Sequence, residues 1–90
     1  MTESLNIRRK RLRFRSWHWG TKELDLLLGN FADRELDAMT ADQLDRYEEL
    51  LEVPEPVMTD WLMGRGTPPS DLDSDVMRRL LAFQYRPDGR

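Results

Sequence analysis

The residue types that could take part in chemistry are concentrated in one short stretch of the chain. This stretch holds cations, an imidazole, carboxylates, an indole and a glycine, namely Arg15, His18, Trp19, Gly20, Lys22, Glu23 and Asp25. General acid–base or nucleophilic catalysis would need several titratable groups that converge in a pocket. Because His18 is the only histidine and the chain has no cysteine, neither a catalytic triad nor an ordinary zinc site can be assembled. We therefore predict a surface that binds a partner, with no catalytic residue, no metal and no cofactor-binding residue.

Several residues of this stretch also have structural interpretations. Gly20 follows a basic segment at a position where helices often end with a positive φ, and Thr21 is a good N-cap for the next helix. Glu23 would then lie in the first turn of that helix, where the helix dipole stabilises a carboxylate. We interpret Trp17 as a packing residue, whereas Trp19 can be either exposed or buried at such a junction.

Length and composition limit the class of protein. Ninety residues, 39% of them apolar and 34% charged, are typical of one small soluble domain without a large enclosed active site. No apolar run approaches the roughly 20 residues that span a bilayer, and the basic N-terminal segment lacks the apolar stretch of a secretion signal. We expect no membrane partner, and a location in the cytoplasm for a bacterial source or in the mitochondrial matrix for a eukaryotic one.

Charge is distributed unevenly along the chain. Six of the fourteen basic residues fall between Arg8 and Arg15, whereas fifteen of the seventeen acidic residues fall between Glu23 and Asp75. This asymmetry predicts a basic patch on the first helix, which suits a protein partner with matching charge. Nucleic-acid binding through Arg8–Arg15 is an alternative, but the net charge of −3 and the lack of a recognition-helix pattern disfavour it.

Glycines, prolines and capping residues divide the chain into five helical segments, and no alternating β pattern is present. The predicted fold is all-α, a compact five-helix bundle that forms a single domain. We place this domain at residues 7–85, after a flexible N-terminus at 1–6 and before a frayed C-terminal tail at 86–90. The first helix is expected from about Ile7 to Trp19.

Helix ends and core positions follow from local patterns. Thr40 and Gln43 predict a capping box, Pro56 fits the first turn of the fourth helix, and Ser70 or Asp71 is expected to cap the fifth. Apolar spacing predicts these core residues: Leu24, Leu27, Leu28, Phe31 and Ala32, then Leu44, Tyr47, Leu50 and Leu51, then Trp61, Leu62 and Met63, then Val76, Leu80, Leu81 and Phe83.

Five sequence features follow one another in an order that is hard to obtain by chance. They are a basic first helix, Gly-x-x-Glu-Leu-Asp at 20–25, a leucine-rich second helix, Leu-Leu-Glu at 50–52 before prolines, and Asp-Trp-Leu-Met at 60–63 before a glycine and prolines. Over residues 8–83 this order resembles the small flavinylation factors of succinate dehydrogenase. That family is called SdhE in bacteria and succinate dehydrogenase assembly factor 2 in mitochondria.

The resemblance implies a five-helix fold, no catalysis by the chain itself and a role as a dedicated assembly factor. Such proteins bind the flavoprotein subunit of succinate dehydrogenase, and in bacteria that of fumarate reductase, and promote covalent attachment of FAD to a histidine of the partner. By position, Gly20 and Glu23 match the family's Arg-Gly-x-x-Glu signature, whereas Trp19 replaces its arginine. One indole N–H in place of a guanidinium with five donors predicts weaker partner binding.

Arg15 offers a way to compensate for the missing arginine. It precedes Trp19 by four residues, so its guanidinium could stack on the indole as a cation–π pair. An interface of charges and one aromatic ring predicts transient binding by a monomer or a weakly self-associating protein. The alternative in a different class is a helical protein–protein adaptor or antitoxin-like regulator.

Overall fold

The computed structural model describes residues 4–83, and most of them belong to five α-helices. The helices are α1 (Leu5–Ser16), α2 (Lys22–Glu35), α3 (Ala41–Leu51), α4 (Glu55–Leu62) and α5 (Asp75–Ala82), with 3₁₀ turns at Leu36–Ala38 and Ser70–Leu72. No strand occurs within residues 4–83. The prediction of an all-α, five-helix domain is confirmed.

The first helix lies earlier in the chain than predicted. It begins at Leu5, inside the segment expected to be flexible, because the Ser4 hydroxyl accepts a hydrogen bond from the Ile7 amide (3.2 Å) and caps the helix. It ends at Ser16 and not at Trp19. The chain between α1 and α2 is therefore a short non-helical junction, and Trp19 lies within it.

The start of the last helix was also predicted wrongly. Ser74 caps α5, since its hydroxyl oxygen accepts a hydrogen bond from the Met77 amide (3.1 Å). Ser70 and Asp71, the predicted caps, lie instead in the second 3₁₀ turn. The tail predicted at 86–90 lies outside the described residues.

The core combines apolar residues from all five helices. Its buried side chains are Leu12, Leu24, Leu28, Phe31, Ala32, Leu36, Met39, Leu44, Tyr47, Leu50, Leu51, Met58, Val76, Met77 and Leu80. Four predicted members are only partly buried, namely Leu27, Trp61, Leu62 and Phe83. Two others are exposed: Met63 is 53% exposed and Leu81 is 40% exposed. Met63 lies beyond the end of α4, next to Gly64 with φ +77°, so helical spacing no longer applies to it. Leu81 is rotated by about 100° from the buried Leu80.

A buried polar contact fastens α1 to α3. The Ser16 hydroxyl donates to the Leu12 carbonyl (2.8 Å), so the Tyr47 hydroxyl must donate to the oxygen of Ser16. Burial raises the pKa of Tyr47 well above its ordinary value, although the hydrogen bond with Ser16 opposes this shift. Both groups therefore have partners in the core, as buried polar groups require.

The arginines of α1 are mostly engaged within the protein. The ion pairs join Arg8 to Asp45 and Glu48, Arg11 to Glu48, Arg13 to Asp33 and Asp37, and Arg15 to Glu52. Arg9 donates to the carbonyl oxygens of Leu36 and Met39, both at 2.9 Å. The predicted basic patch is therefore wrong, because Arg8, Arg11, Arg13 and Arg15 are neutralised by carboxylates of α2, its following turn, α3 and the residue after α3. The alternative of nucleic-acid binding depended on unpaired positive charge in α1, and most of these arginines are paired within the protein.

Replacing Glu48 with glutamine should make the free energy of unfolding less dependent on pH in the acid range. Hydrogen bonds from Arg11 (2.9 Å) and Arg8 (3.0 Å) lower the pKa of the Glu48 carboxyl below its ordinary value of 4.5. The stabilisation is thus present above pH 4.5 and is lost as the pH falls below it. At pH 7 we expect Glu48→Gln to cost about 1 kcal/mol, because the carboxylate is partly exposed.

Urea unfolding at pH 7 and pH 3 measures this effect. The neighbouring substitution Glu49→Gln is the control, since Glu49 forms only an exposed pair with Arg46 at i,i+3 spacing. We expect the stability difference between Glu48→Gln and the unchanged protein to shrink at pH 3. A difference of the same size at both pH values would contradict the role given to the Glu48 carboxylate.

Candidate functional site

The junction between α1 and α2 is a tight turn held by one carboxylate. Gly20 has φ +107°, a conformation that other L-residues rarely adopt, which confirms the prediction for this position. The Asp25 carboxylate accepts hydrogen bonds from the backbone amides of Trp19 (2.5 Å) and Gly20 (3.3 Å). The Thr21 hydroxyl accepts from the Leu24 amide (3.4 Å) and caps α2, also as predicted. Asp25, which is partly buried, therefore fixes the shape of the turn.

A cleft of about 320 Å³ lies beside this turn, between the end of α1 and the segment that joins α3 to α4. Its lining residues are Phe14, Arg15, His18, Trp19, Leu51, Val53 and Glu55. The cleft thus brings together Arg15, His18 and Trp19 from the predicted site. Phe14, Leu51, Val53 and Glu55 were not predicted as site residues. Leu51, Val53 and Glu55 are distant from Trp19 in the sequence and approach it only in the folded chain.

His18 and Phe14 form an exposed pair at the rim of the cleft. Their rings stack with centroids 3.9 Å apart and an interplanar angle of 17°. The Nδ1 atom of His18 lies 2.6 Å from the Phe14 carbonyl oxygen, so this nitrogen is the donor. Phe14 is 64% exposed, more than any other large apolar side chain in the described range. The exposed ring extends the apolar lining of the cleft to the protein surface.

Trp19 forms a half-buried wall of the cleft. Its indole packs against the edge of the core, and its Nε1 atom is buried without a hydrogen-bond partner among the described residues. The Arg15 guanidinium is directed to Glu52 and to the Leu51 carbonyl (3.2 Å) at the end of α3. These two groups, and not the predicted stacking on Trp19, position the Arg15 guanidinium.

Replacing Trp19 with phenylalanine should leave the free energy of unfolding unchanged or raise it. A buried N–H without an acceptor costs about 1–3 kcal/mol, and phenylalanine removes that group while it keeps most of the apolar contact. Chemical denaturation tests this, with Trp17→Phe as the comparison, because the Trp17 Nε1 has an acceptor in Asp33 (3.4 Å). A clear loss of stability in Trp19→Phe alone would show that the indole nitrogen has a partner.

The remaining predicted residues lie on the turn and at the start of α2. Gly20, Lys22 and Glu23 are exposed, and they do not line the cleft. The side chains of Lys22 and Glu23 form no hydrogen bond or ion pair with residues 4–83. Both charges are therefore available to a partner that docks beside the cleft.

Gly29 was missed in the sequence and controls the position of Trp17. A Cβ atom at Gly29 would come within 2.5 Å of three carbon atoms of the Trp17 indole, so only glycine fits there. Trp17 is the C-cap of α1 and leads directly into the junction. The only signal in the sequence is a glycine inside the leucine-rich α2, which often marks close packing.

Two other kinds of site are absent from the part of the chain that the structure describes. No cluster of three or more His, Cys, Asp or Glu side chains there could hold a metal ion. None of the helices between residues 4 and 83 has both the length and the apolar character needed to cross a membrane. The cleft and its adjoining turn are thus the candidate site.

Comparison with known proteins identifies the family. Residues 10–84 match the family described as the flavinator of succinate dehydrogenase, and the chain therefore belongs to that family. The chain is 43% identical over 79 residues to the FAD assembly factor SdhE of Acetobacter pasteurianus, covering 88% of this chain and 72% of the relative. It is 34% identical over 70 residues to the mitochondrial succinate dehydrogenase assembly factor 2 of Dictyostelium discoideum, covering 78% of this chain and 50% of that protein.

A third relative is the FAD assembly factor SdhE of Coxiella burnetii, which is 33% identical over 61 residues, 68% of this chain and 74% of the relative. No solved structure gives a significant match. The family predicted from the order of motifs is thus confirmed, and the relatives come from bacteria and from mitochondria.

Proposed function

We propose that this chain binds the flavoprotein subunit of succinate dehydrogenase and promotes covalent attachment of FAD to it. The observation that carries the proposal is the arrangement at the end of α1. The turn with Gly20 and Glu23, which matches the family signature, adjoins a cleft with an exposed aromatic rim. Arg15, His18 and Trp19 would contact the partner from the cleft, while Lys22 and Glu23 would contact it from the turn.

In this proposal the chain acts as a scaffold and not as an enzyme. A cleft of about 320 Å³ is near the lower end of the ~300–1,000 Å³ typical of small-molecule sites, which suits a side chain better than a dinucleotide. The flavin and a histidine of the partner supply the chemistry, and the chain holds the partner in a reactive conformation.

The proposed association is transient, because the surface is small and partly charged. A monomer or weakly self-associating protein is sufficient for this role. The proposed location is the cytoplasm in bacteria or the mitochondrial matrix in eukaryotes. The flavoprotein subunit of fumarate reductase is a second proposed partner, since its flavin requires the same attachment.

Co-expression with a succinate dehydrogenase flavoprotein subunit tests the proposal, with covalent flavin measured as fluorescence in a denaturing gel. We expect the chain to raise covalent flavin and Glu23→Gln to lower that gain. Asp42→Asn is a matched control, because Glu23 and Asp42 are both exposed acids at the second position of a threonine-capped helix. No gain with the unchanged chain, or equal losses in both variants, would contradict the proposal.

Trp19→Arg tests whether the departure from the family signature weakens activity. We expect this variant to give more covalent flavin than the unchanged chain at equal folded concentration, because a guanidinium restores several donors at the turn. It should also be less stable, since the indole of Trp19 packs against the core. Flavin yield divided by the amount of folded protein separates these effects. A lower yield on this scale would show that the indole itself contributes to binding.

A further inference from the structure

The cleft contains an acidic group that has no partner among the residues that the structure describes. Glu55 is the first residue of α4, and it is half-buried among the apolar side chains that line the cleft. Its carboxylate forms no ion pair or hydrogen bond with residues 4–83. A carboxylate beside apolar side chains and without an ion-pair partner favours a cationic ligand, because a charge near apolar surface is stabilised when it is paired.

The other polar groups at the surface of the lining are already engaged or can only accept. Arg15 is held by Glu52 and the Leu51 carbonyl, and it forms no ion pair with Glu55. The Nδ1 atom of His18 donates to the carbonyl of Phe14, which leaves Nε2 as an acceptor in the neutral ring. The Trp19 Nε1 is buried below the surface. The lining therefore offers acceptors to a ligand that brings donors.

The apolar part of the lining adds a second requirement. Phe14 and Trp19 present aromatic rings, and Leu51 and Val53 present aliphatic groups. Long cationic side chains place their methylene stem along such a surface while the charged head meets an acceptor. A guanidinium can also stack on aromatic rings, which an ammonium does less well.

We infer that the cleft receives one cationic side chain, best an arginine, from the flavoprotein partner. The methylene stem lies along Phe14 and Trp19, and the guanidinium donates to the Glu55 carboxylate. This inference rests on the proposed function, because it assumes that the partner docks at this cleft. It adds that the docking segment of the partner carries an arginine or lysine.

A small probe tests the cleft without the flavoprotein. The full chain, labelled with ¹⁵N, is titrated with N-acetylarginine amide and, separately, with the neutral analogue N-acetylcitrulline amide. We expect arginine amide to shift the backbone amide signals of Val53, Glu55 and the α1–α2 junction. Citrulline amide should bind at least about tenfold more weakly, as the loss of a charged hydrogen bond implies. Equal responses to both probes, or shifts only elsewhere, would overturn the inference.

Substitutions then connect the cleft to the partner. We expect Glu55→Gln to weaken binding of the flavoprotein about 10- to 100-fold, the range for a hydrogen bond to a charged group. Asp71→Asn is the control, since Asp71 is an exposed acid outside the cleft with no side-chain partner among the described residues. Unchanged binding by Glu55→Gln, or an equal loss with Asp71→Asn, would refute the inference.

A second matched pair tests the aromatic wall. Phe14 and Ile7 lie two turns apart on α1 and are both exposed, at 64% and 59%, but only Phe14 lines the cleft. Phe14→Ala should weaken binding, while Ile7→Ala should not. Equal losses would place the docking surface along α1 and would contradict the assignment to the cleft.

These experiments separate two kinds of failure. If the chain does not bind the flavoprotein at all, the proposed function is wrong, and the titration with arginine amide still decides whether the cleft selects a cation. If the chain binds the flavoprotein but Glu55→Gln binds equally well, the proposed function stands and the cationic side chain is excluded.

Discussion

Replacing Gly29 with alanine is expected to destabilise the protein by about 2 kcal/mol. Overpacking in a close contact costs about 1–3 kcal/mol or more, while the better helix propensity of alanine returns at most about 1 kcal/mol. The added Cβ would overlap the Trp17 ring at no more than 2.5 Å from three of its carbons, so the steric effect dominates. Urea unfolding of the purified variant measures the change.

Gly66→Ala is the matched control for this prediction. Gly66 also faces a tryptophan, but there a Cβ would lie 3.4 Å from the nearest atom of Trp61, an ordinary contact distance. We expect little change in stability for Gly66→Ala. In addition, the double variant Trp17→Leu with Gly29→Ala should be more stable than the sum of the single effects predicts, because the smaller side chain makes room for the methyl group. Additive effects would show that the two residues do not clash.

Gly29→Ala should also lower the activity of the chain in flavin attachment. Trp17 immediately precedes His18, so a displaced indole shifts the start of the junction that leads to Trp19 and Gly20. At equal folded concentration, we expect Gly29→Ala to give less covalent flavin than the unchanged chain in the co-expression assay. Full flavin yield from the folded fraction would show that the junction tolerates this displacement.

Replacing Asp25 with alanine is the second change expected to have a large effect. It removes the acceptor for the backbone amides of Trp19 and Gly20. Hydrogen bonds to a charged group contribute about 1.5–3 kcal/mol each, but the Gly20 amide is exposed and can bind water, so we expect a loss of about 2 kcal/mol in total. Because the turn would no longer be fixed, covalent flavin should fall toward the level without the chain.

Glu23 provides the contrast that separates structure from binding. Glu23→Gln should lower covalent flavin with almost no change in stability, since this side chain is exposed and has no partner within residues 4–83. Asp25→Asn, which keeps one acceptor oxygen, should fall between the alanine variant and the unchanged chain in both measurements. Urea unfolding and flavin fluorescence on the same samples distinguish these outcomes. If Asp25→Ala were as stable as Glu23→Gln, the role of Asp25 in holding the turn would be refuted.

Local features of the fold were predictable from the sequence because they depend on residues within one helical turn. The capping box of Thr40 and Gln43 is present as predicted, with both reciprocal hydrogen bonds. Gly20 has the positive φ expected at that junction, and Thr21 caps α2. The apolar stripe of α3 is buried in full. Each of these features is set by contacts between residues no more than a few positions apart, or by one continuous helix face.

Features that depend on distant contacts were not predictable in the same way. The Ser70–Leu72 segment carries good capping residues, yet the cap that α5 uses is Ser74. Leu36 and Met39 are buried from a turn where no helical spacing marks them. The glycine at position 29 fits its place only because an indole from α1 lies against it.

The sequence by itself determined the five helices, the turn at Gly20 and the family, because capping chemistry, apolar periodicity and motif order are properties of the linear chain. Only the tertiary structure decided which charges remain free. Arginines that appear as a basic patch in the sequence lie against carboxylates up to 40 positions away. An ordinary glutamate, Glu55, lies in an aromatic cleft without a partner from residues 4–83. Electrostatic pairing acts through space, so a charge is available only if the fold brings no opposite charge to it.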